Sequence, residues 1–415
     1  MKVVISGAGI AGLALANRLS TLGAEVVLLE RATVPRSHGY MMDFFGPGYD
    51  AIESMGLLPA IQDVAYDIAE ATFVDERGRR RAGVRPRQFA NGPLLNLMRP
   101  DLERVLRENL SPDVDLRFGT SPSAVTHHRD GVRVEIEDGT RLDADLLVGA
   151  DGIHSTVRSL VFGNEARFLR YLGFHTTAFC FDAPEIHALL QDRACLTDTV
   201  DRQMGFYALR DGRVATFGVR RTPDPTLPED IRAAVVNAFA GLGWVTPAAL
   251  DQCPPPKEIY YDQVAQIEMP QWSRGRVVLV GDACYAVSLL AGQGASLGIA
   301  GAYLLADRLA HAPIDQALVQ YEQLWRPVAR EKQKVGRAGA RWFLPESRWQ
   351  LRIRRATLNL ARLPVVDRYV ASILAGKPNA LIRSPRQADG PFRPSGVPPT
   401  PLLSGRQRSD GLDSD

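Results

Sequence analysis

Six residues near the amino terminus, Gly7-Ala8-Gly9-Ile10-Ala11-Gly12, have the spacing G-x-G-x-x-G. In a dinucleotide site the first glycine allows a tight turn, the second lets the backbone approach a pyrophosphate, and the third lets helix and strand pack closely. The helix N-terminus adds free N–H groups and a positive dipole end. Glu30 follows Gly12 by 18 residues, where a carboxylate can accept both ribose hydroxyls of an adenosine. The pattern predicts a dinucleotide site and does not separate NAD from FAD.

The elements around this motif predict a β-α-β unit. Lys2–Ser6 and Glu25–Glu30 are short apolar runs that predict buried strands, and Ala11–Leu22 has apolar residues at helical spacing. This order implies two parallel strands joined by a right-handed crossover. Two further apolar runs, Asp145–Ala150 and Arg276–Gly281, predict buried strands that end in acidic glycine turns.

Those two acidic turns belong to longer motifs. Leu147–Arg158 reads LVGADGIHSTVR, and Val278–Gly294 reads VLVGDACYAVSLLAGQG. A nicotinamide-dependent dehydrogenase has no need of either. Together with the first motif they resemble the FAD-dependent monooxygenases of the aromatic-hydroxylase type, the group A flavoproteins, over roughly residues 1–330.

The resemblance implies an α/β fold, α+β overall. A glutathione-reductase-like FAD-binding Rossmann domain would be joined to a mixed-sheet substrate domain and C-terminal helices. Residues 1–72, 99–164 and 259–330 would form the FAD-binding domain, and 73–98 with 165–258 the substrate-binding domain. Residues 331–383 would be bracing helices. The last segment, 384–415, contains six prolines and four glycines, a composition that predicts a disordered tail.

The resemblance also assigns cofactor-binding roles by position. The ADP end would be held by Gly7, Gly9, Ile10, Ala11, Gly12 and Glu30, with Arg31 and Arg36 reaching ribose or phosphate. Arg99 would lie near the flavin. Asp151, with Ser155 and Arg158, would contact FAD and NADPH, and Asp282 would hold the ribityl–pyrophosphate end. The positive end of a helix at Gly292, Gln293, Gly294 and Ala295 would stabilise the anionic reduced flavin.

The substrate side is predicted from the segment Gly39–Gly48, which reads GYMMDFFGPG. In this family such a segment passes near the flavin ring and the substrate, and it looks like the tetracycline-modifying branch and related antibiotic-pathway enzymes. The predicted pocket residues are Met42, Phe44, His175, Phe206, Leu289 and Leu290.

The implied reaction is hydroxylation of an aromatic or polycyclic, polyketide- or antibiotic-like molecule, in antibiotic biosynthesis or resistance. NADPH or NADH would reduce FAD, and O2 would then form a flavin C4a-hydroperoxide that transfers oxygen. The flavin carries this chemistry, so no residue is predicted to be catalytic.

Departures from the family pattern keep a second hypothesis open. Cys284-Tyr285 stands where Ala-His is usual, and Leu289 where Pro is usual. Ser296 and Gly301 stand where Asn and Asp are common. An enzyme with an altered flavin wall could keep FAD as a scaffold for a non-redox cyclisation or isomerisation. A third hypothesis is a non-catalytic FAD-binding protein that binds its partner through the basic C-terminal segment Arg330–Tyr369.

Composition excludes several other classes. Lys plus Arg is 49 and Asp plus Glu is 47, so a generally basic nucleic-acid binder is excluded. The four cysteines are far apart, which argues against a disulfide framework or a cysteine-built zinc site and fits the cytoplasm. The histidines have no metal-ligand spacing. The uncharged stretch Ala283–Ala306 is interpreted as a glycine-rich turn and helix rather than a membrane span, and a monomer or homodimer is expected.

Overall fold

The computed structural model describes residues 1–35, 39–85, 87, 92–288, 292–360 and 382, with backbone only at 340–342. The predicted tail at 384–415 lies outside the described residues. The strands are β1 (Lys2–Ser6), β2 (Glu25–Glu30), β3 (Met41–Phe45), β4 (Glu70–Val74), β5 (Arg80–Val84), β6 (Leu94–Met98), β7 (Asp115–Phe118), β8 (Pro122–His127), β9 (Val132–Ile136), β10 (Arg141–Ala144), β11 (Leu146–Gly149), β12 (Leu169–Phe181), β13 (Arg193–Thr197), β14 (Arg202–Ala208), β15 (Val214–Arg221), β16 (Tyr260–Ile267), β17 (Ser273–Arg274) and β18 (Val277–Leu279).

Helices of very different lengths connect these strands. They are α1 (Ile10–Thr21), α2 (Pro47–Ser54), α3 (Leu58–Asp63), α4 (Arg99–Glu108), α5 (Thr156–Val161), α6 (Pro184–Leu190), α7 (Ile231–Phe239), α8 (Thr246–Asp251), α9 (Asp282–Tyr285), α10 (Gly294–His311), α11 (Ile314–Phe343) and α12 (Arg348–Leu360).

The first layer is a six-stranded sheet in the order β17-β18-β11-β1-β2-β7. Its pairs are parallel except at the edge strand β17. Helices cover such sheets on both faces, which is why β1, β2 and β11 are continuous apolar runs. Helix α1 packs against α10 over this core. The predicted strands and the crossover helix are therefore present, within one or two residues of their expected ends.

The parallel arrangement brings three glycine turns to one edge of this sheet. Strands β1, β11 and β18 point the same way, so their carboxyl ends meet there. Gly7 follows β1, Asp151 follows β11, and Asp282 follows β18. Ligands bind at this edge of open parallel sheets.

The second layer is a seven-stranded mixed sheet in the order β16-β12-β15-β14-β13-β4-β5. Its membership differs from the expected domain boundaries. Strand β16 pairs with β12 rather than joining the first sheet, and β4 begins at Glu70. Strand β6 pairs with β3 in a separate two-stranded sheet. These pairings join segments far apart in the chain, and nothing in the local sequence specifies them.

The two C-terminal helices contact both layers. Helix α11 packs against α10, and α12 packs against β5. The buried carboxylate of Asp198 accepts a hydrogen bond of 2.7 Å from Nη2 of Arg354 and also pairs with Arg355. In the described part of the chain, none of the helices combines the length and apolarity needed to cross a bilayer.

Candidate functional site

A cavity of about 970 Å³ lies between the two layers. One end is formed by the three glycine turns and the first turn of α10. The other end is formed by β3, β15, β16 and the end of α11. Ligand pockets span roughly 300 to 1,000 Å³, so this cavity is large enough for an extended cofactor and a second molecule beside it.

Glycine is required in the first turn for two different physical reasons. Gly7 has φ +104°, and a Cβ there would lie 2.6 Å from the carbonyl oxygen of Ala150. A Cβ on Gly12 would lie 1.9 Å from the carbonyl oxygen of Gly7. Beyond its chain neighbours, a Cβ on Gly9 would meet no described atom within 4 Å, because Gly9 faces the cavity. Gly7 and Gly12 thus allow close packing of the chain, and the absence of a side chain at Gly9 leaves open space in the cavity that a ligand can occupy.

Glu30 is held with both carboxylate oxygens oriented. The backbone N–H of Ala8 donates to Oε2 at 2.9 Å, and the N–H of Ala32 donates to Oε1 at 2.9 Å. Glu30 and Arg31 both line the cavity beside Ile10 and Ala11. A carboxylate fixed in this way keeps lone pairs for two hydroxyl donors, which fits an adenosine ribose. Arg36 lies outside the described residues.

Asp151 lines the cavity, but its predicted partners Ser155 and Arg158 do not. The hydroxyl of Ser155 donates to Asp151 and caps α5 by accepting from the N–H of Arg158 at 2.9 Å. The fully buried guanidinium of Arg158 donates to the carbonyl oxygen of Ala283 at 2.9 Å and pairs with Glu165. Arg158 therefore ties the two acidic turns together from behind, which corrects the expectation that it contacts a ligand.

Arg99 and Asp282 both line the cavity. Arg99 begins α4 and donates from Nε to Oε1 of Glu103 at 3.0 Å. Burial raises the pKa of Asp282, the Arg99 guanidinium opposes this shift, and Asp262 adds to it. Arg99 therefore lies near the carboxyl groups of Glu103 and Asp282 in a polar part of the cavity, which suits a polar linker between two larger groups.

The N-terminus of α10 opens into the cavity. Gly292, Gln293, Gly294 and Ala295 all line it. Behind them the hydroxyl of Ser296 donates to the carbonyl oxygen of Phe45 at 2.6 Å and accepts from the N–H of Gly48 at 2.9 Å. Ser296 thus fastens β3 and α2 to this helix, so its departure from the family pattern has a packing role.

Two other departures complement each other in the core. Tyr285 is 2% exposed, and its hydroxyl donates to the carbonyl oxygen of Leu297. A Cβ on Gly301 would lie 2.1 Å from that hydroxyl. The tyrosine therefore occupies space that a side chain at position 301 would need. Neither residue lines the large cavity, so these two departures change the packing behind the site and not its wall. Leu289 lies outside the described residues.

The far end of the cavity is aromatic. The ring centroid of Tyr40 lies 5.3 Å from that of Phe217 and 5.3 Å from that of Tyr260. Burial raises the pKa of both tyrosines, so their phenols stay neutral at neutral pH. Met41 and Met42 continue this wall. The pocket prediction did not include Tyr40 or Tyr260. Tyr40 lies in the singled-out segment Gly39–Gly48, and that position is the signal that could have found it.

Three predicted pocket residues lie elsewhere, and strand alternation explains why. Phe44 is fully buried in the main core, on the opposite face of β3 from Asp43 and Phe45. Phe206 pairs in register with Thr216, the neighbour of Phe217, and packs in a second core with Trp244. Successive strand residues point to opposite faces, so both side chains turn away from the cavity.

His175 also lies on the face away from the cavity. Ala178 pairs in register with Phe217 and Tyr260, which line the cavity. His175 lies three positions before Ala178 on the same strand, so its side chain is on the opposite face. The imidazole is 2% exposed and its Nδ1 contacts the hydroxyl of Tyr261 at 3.0 Å. Burial, with help from Arg220, lowers the pKa of His175. Leu290, the remaining predicted pocket residue, lies outside the described residues together with Leu289.

His154 is a cavity residue that the site prediction did not include. It lies in the turn after β11, with Nδ1 2.9 Å from Oε1 of Glu165 and Nε2 3.4 Å from Oδ1 of Asp262. The hydrogen bond to Asp262 raises the pKa of His154 to about 9, against the effect of burial and with help from Glu165. An imidazolium thus joins the first sheet to β16 of the second at the cavity rim.

Comparisons with known proteins agree with this geometry. A family model described as an FAD binding domain matches residues 1–333. An uncharacterized protein of Mycobacterium tuberculosis is 38% identical over 327 residues, covering 76% of this chain and 87% of its own length. A flavin-dependent monooxygenase of an unknown prokaryotic organism is 29% identical over 351 residues, covering 81% and 88%. The crystal structure of tetracycline destructase Tet(51) superposes with a TM-score of 0.75 at 25% identity, covering 91% of this chain and 99% of that one.

Proposed function

This chain belongs to the FAD-binding-domain family and is an FAD-dependent monooxygenase of the aromatic-hydroxylase type, and from that premise we propose its reaction. It hydroxylates an aromatic or polycyclic, polyketide- or antibiotic-like small molecule, with NADPH or NADH as reductant and O2 as oxidant. One observation carries the proposal: a single cavity joins a dinucleotide cradle to an aromatic wall. Such a cavity can bind a dinucleotide cofactor and, in contact with it, a flat substrate.

The cofactor end fits FAD in its shape and its donors. Gly9 leaves the space for the pyrophosphate, Glu30 would accept the adenosine ribose hydroxyls, and Arg31 would lie near the same end. Asp151 and Asp282 would hold the ribityl linker, and Gly292 to Ala295 would meet the flavin edge. FAD, when bound, supplies the redox and oxygen chemistry.

The chain's own residues would orient the substrate and exclude water. Tyr40, Phe217 and Tyr260 form an apolar, uncharged wall on which a planar ring can stack. The Arg99 guanidinium would stand beside the flavin and favour negative charge there. The rings would thus exclude water from the part of the cavity where the Arg99 guanidinium, near Tyr40 and Tyr260, adds positive charge.

The likeness to a tetracycline destructase favours a polycyclic polyketide as the first compound to test. The same residues would serve an enzyme that makes such a molecule or one that inactivates it. The cytoplasm remains the proposed compartment, and a monomer or homodimer the proposed state. The alternative of a non-redox FAD scaffold rested on the departures at Tyr285 and Leu289. Tyr285 lies behind the cavity wall and gives it no support, and Leu289 lies outside the described residues.

The test has two stages. The purified protein, loaded with FAD, is mixed anaerobically with NADPH or NADH while the visible absorbance of the oxidised flavin is followed. It is then run in air with tetracycline and a panel of polycyclic phenols, and products are analysed by mass spectrometry. We expect bleaching that one compound accelerates, and a product heavier by one oxygen atom. A flavin that stays oxidised with both nucleotides, although dithionite bleaches it, would refute the proposal.

A further inference from the structure

The segment Ala286–Ser288 forms part of the cavity wall between Asp282 and the start of α10. Ala286 and Ser288 both line the cavity. The backbone of Ser288 has φ +74°, a left-handed conformation that residues other than glycine rarely adopt. Such strained residues persist only where the surrounding structure holds them. What holds this segment therefore bears on the shape of the site.

Two buried glutamines outside the cavity wall bind the carbonyl groups of this segment. Nε2 of Gln333, on α11, donates to the carbonyl oxygen of Ala286 at 3.1 Å and to that of Ile267 at 2.8 Å. Nε2 of Gln266, on β16, donates to the carbonyl oxygen of Val287 at 3.0 Å and to that of Gln333 at 2.9 Å. The two side chains are 5% and 0% exposed.

The orientation of these amides follows from their partners. Nη1 of Arg337 donates to Oε1 of Gln266 at 2.6 Å. This oxygen therefore faces a cation, and the NH2 group faces two carbonyl oxygens. A flipped amide would place oxygen against oxygen. The backbone adds one more link, because the N–H of Ile267 donates to the carbonyl oxygen of Ala286 at 3.2 Å.

The side-chain amides of Gln266 and Gln333 join three elements that the fold brings together from distant parts of the chain. Gln266 comes from the second sheet, Gln333 from the long C-terminal helix, and Ala286–Ser288 from the turn after the first sheet. The amides of Gln266 and Gln333 therefore fix the backbone of this turn from two other elements.

We propose that Gln266 and Gln333 are positioning residues, an amide clamp that sets the place of the Ala286–Ser288 wall against the bound flavin. They touch neither the cavity nor the reacting atoms. Their effect passes through the carbonyls of Ala286 and Val287 to the strained Ser288. Loss of the clamp loosens this wall while the ADP end stays in place, because Gly7, Gly12 and Glu30 do not depend on it.

The test compares Gln333→Met with Gln323→Met in the full chain. Methionine has nearly the same length as glutamine and cannot donate. Gln323 is exposed on the same helix and serves as the matched control. Hydrogen exchange at Ile267 and in the 284–288 peptide is measured with and without FAD, together with FAD affinity and the visible spectrum of the bound flavin.

We expect exchange in these peptides to speed up by at least ~10-fold in Gln333→Met and the flavin spectrum to shift, with FAD affinity changed by less than about threefold. Gln323→Met should match the wild type. Arg337→Met, a milder change at a half-buried site, should give the same shifts with smaller size. Wild-type exchange and spectrum in a folded Gln333→Met, or equal shifts in Gln323→Met, would overturn the proposal.

One further readout rests on the proposed function. With an accepted substrate, the fraction of consumed NADPH that yields oxygenated product should fall at least ~threefold in Gln333→Met, while flavin reduction keeps its rate. A protein without monooxygenase turnover would fail only this readout. Exchange and flavin spectrum would still decide the clamp.

Discussion

The two ends of the cavity are built in different ways. The end at the first sheet is formed by short turns that follow its strands: the N–H groups of Ala8 and Ala32 orient the Glu30 carboxylate, and Gly9 presents an open face to the cavity. The aromatic end is built from side chains on separate strands, such as Tyr40, Phe217 and Tyr260. A backbone cradle tolerates little change, whereas a side-chain wall can be altered residue by residue.

This difference explains how one scaffold can keep its cofactor while its substrate changes. The cradle recognises parts of FAD that are the same in every turnover. The wall recognises only surface shape and apolarity. Substitutions should therefore divide into those that damage stability or FAD binding and those that change substrate use alone.

The largest effect should come from Gly12→Ala. The added Cβ would lie 1.9 Å from the carbonyl oxygen of Gly7, so α1 must move away from β1. Overpacking of this kind costs about 1–3 kcal/mol or more. The free energy of unfolding of the FAD-free protein, measured in urea, should fall by about 3 kcal/mol.

Gly9→Ala is the matched control for that prediction. Its Cβ would enter open space, so the stability of the FAD-free protein should change by less than about 0.5 kcal/mol. Its FAD affinity should nevertheless fall, because the methyl group occupies the cradle. Equal destabilisation by both substitutions would contradict the distinction between a packing glycine and a ligand-facing one.

The next effect should come from Glu30→Ala. Hydrogen bonds to a charged group contribute about 1.5–3 kcal/mol, so FAD should bind about 10- to 100-fold more weakly by titration of flavin fluorescence. Glu25→Ala is the control, since Glu25 lies at the exposed start of the same strand, where it pairs with Lys2. FAD affinity unchanged in Glu30→Ala would remove Glu30 from the site.

The sequence specifies the positions of these cofactor-end residues through local order. A short motif specifies the turn that holds Gly7, Gly9 and Gly12 between a strand and a helix, and Glu30 ends the next strand. The same holds for Asp151 and Asp282, because the parallel sheet brings the ends of their strands together.

The aromatic end could not be predicted to the same depth. Strand β14 is buried on both faces, so its sequence has no alternation of apolar and polar residues that would tell which face Phe206 occupies. The pairing of β16 with β12 joins segments about 90 residues apart. Arg158 was misassigned for another reason: its partner Ala283 comes from a different motif, and only the folded chain shows that contact.

A smaller effect should come from the aromatic wall. Tyr40→Leu removes a ring that packs against two others. Aromatic pairs contribute about 0.5–1.5 kcal/mol beyond their buried area, so the KM of an accepted polycyclic substrate should rise about 2- to 10-fold. FAD affinity should stay within about twofold. A Tyr40→Leu protein that loses FAD instead would show that the two ends are not separable, and Phe206→Leu, behind the wall, should leave the KM unchanged.

The smallest effect concerns two histidines whose pKa values shift in opposite directions. The pKa of His154 is raised to about 9, so its contribution to stability is complete below its ordinary pKa of 6.5 and disappears as pH rises from there through about 9. The pKa of His175 is lowered, so the neutral form is favoured and stability falls as pH drops below 6.5.

Unfolding free energies measured across pH should therefore distinguish the contribution of His154 from that of His175. His154→Gln should reduce the loss of stability between pH 6.5 and about 9 by about 1 kcal/mol or less, since the imidazole is partly exposed and solvent screens its pairs with Glu165 and Asp262. His175→Gln should reduce the acid slope and leave the alkaline slope alone. If His154→Gln altered only the acid slope, the charged link between the sheets would be wrong. The sign of each slope thus tests whether a charged His154 links the two sheets at the cavity rim and whether the buried His175 stays neutral.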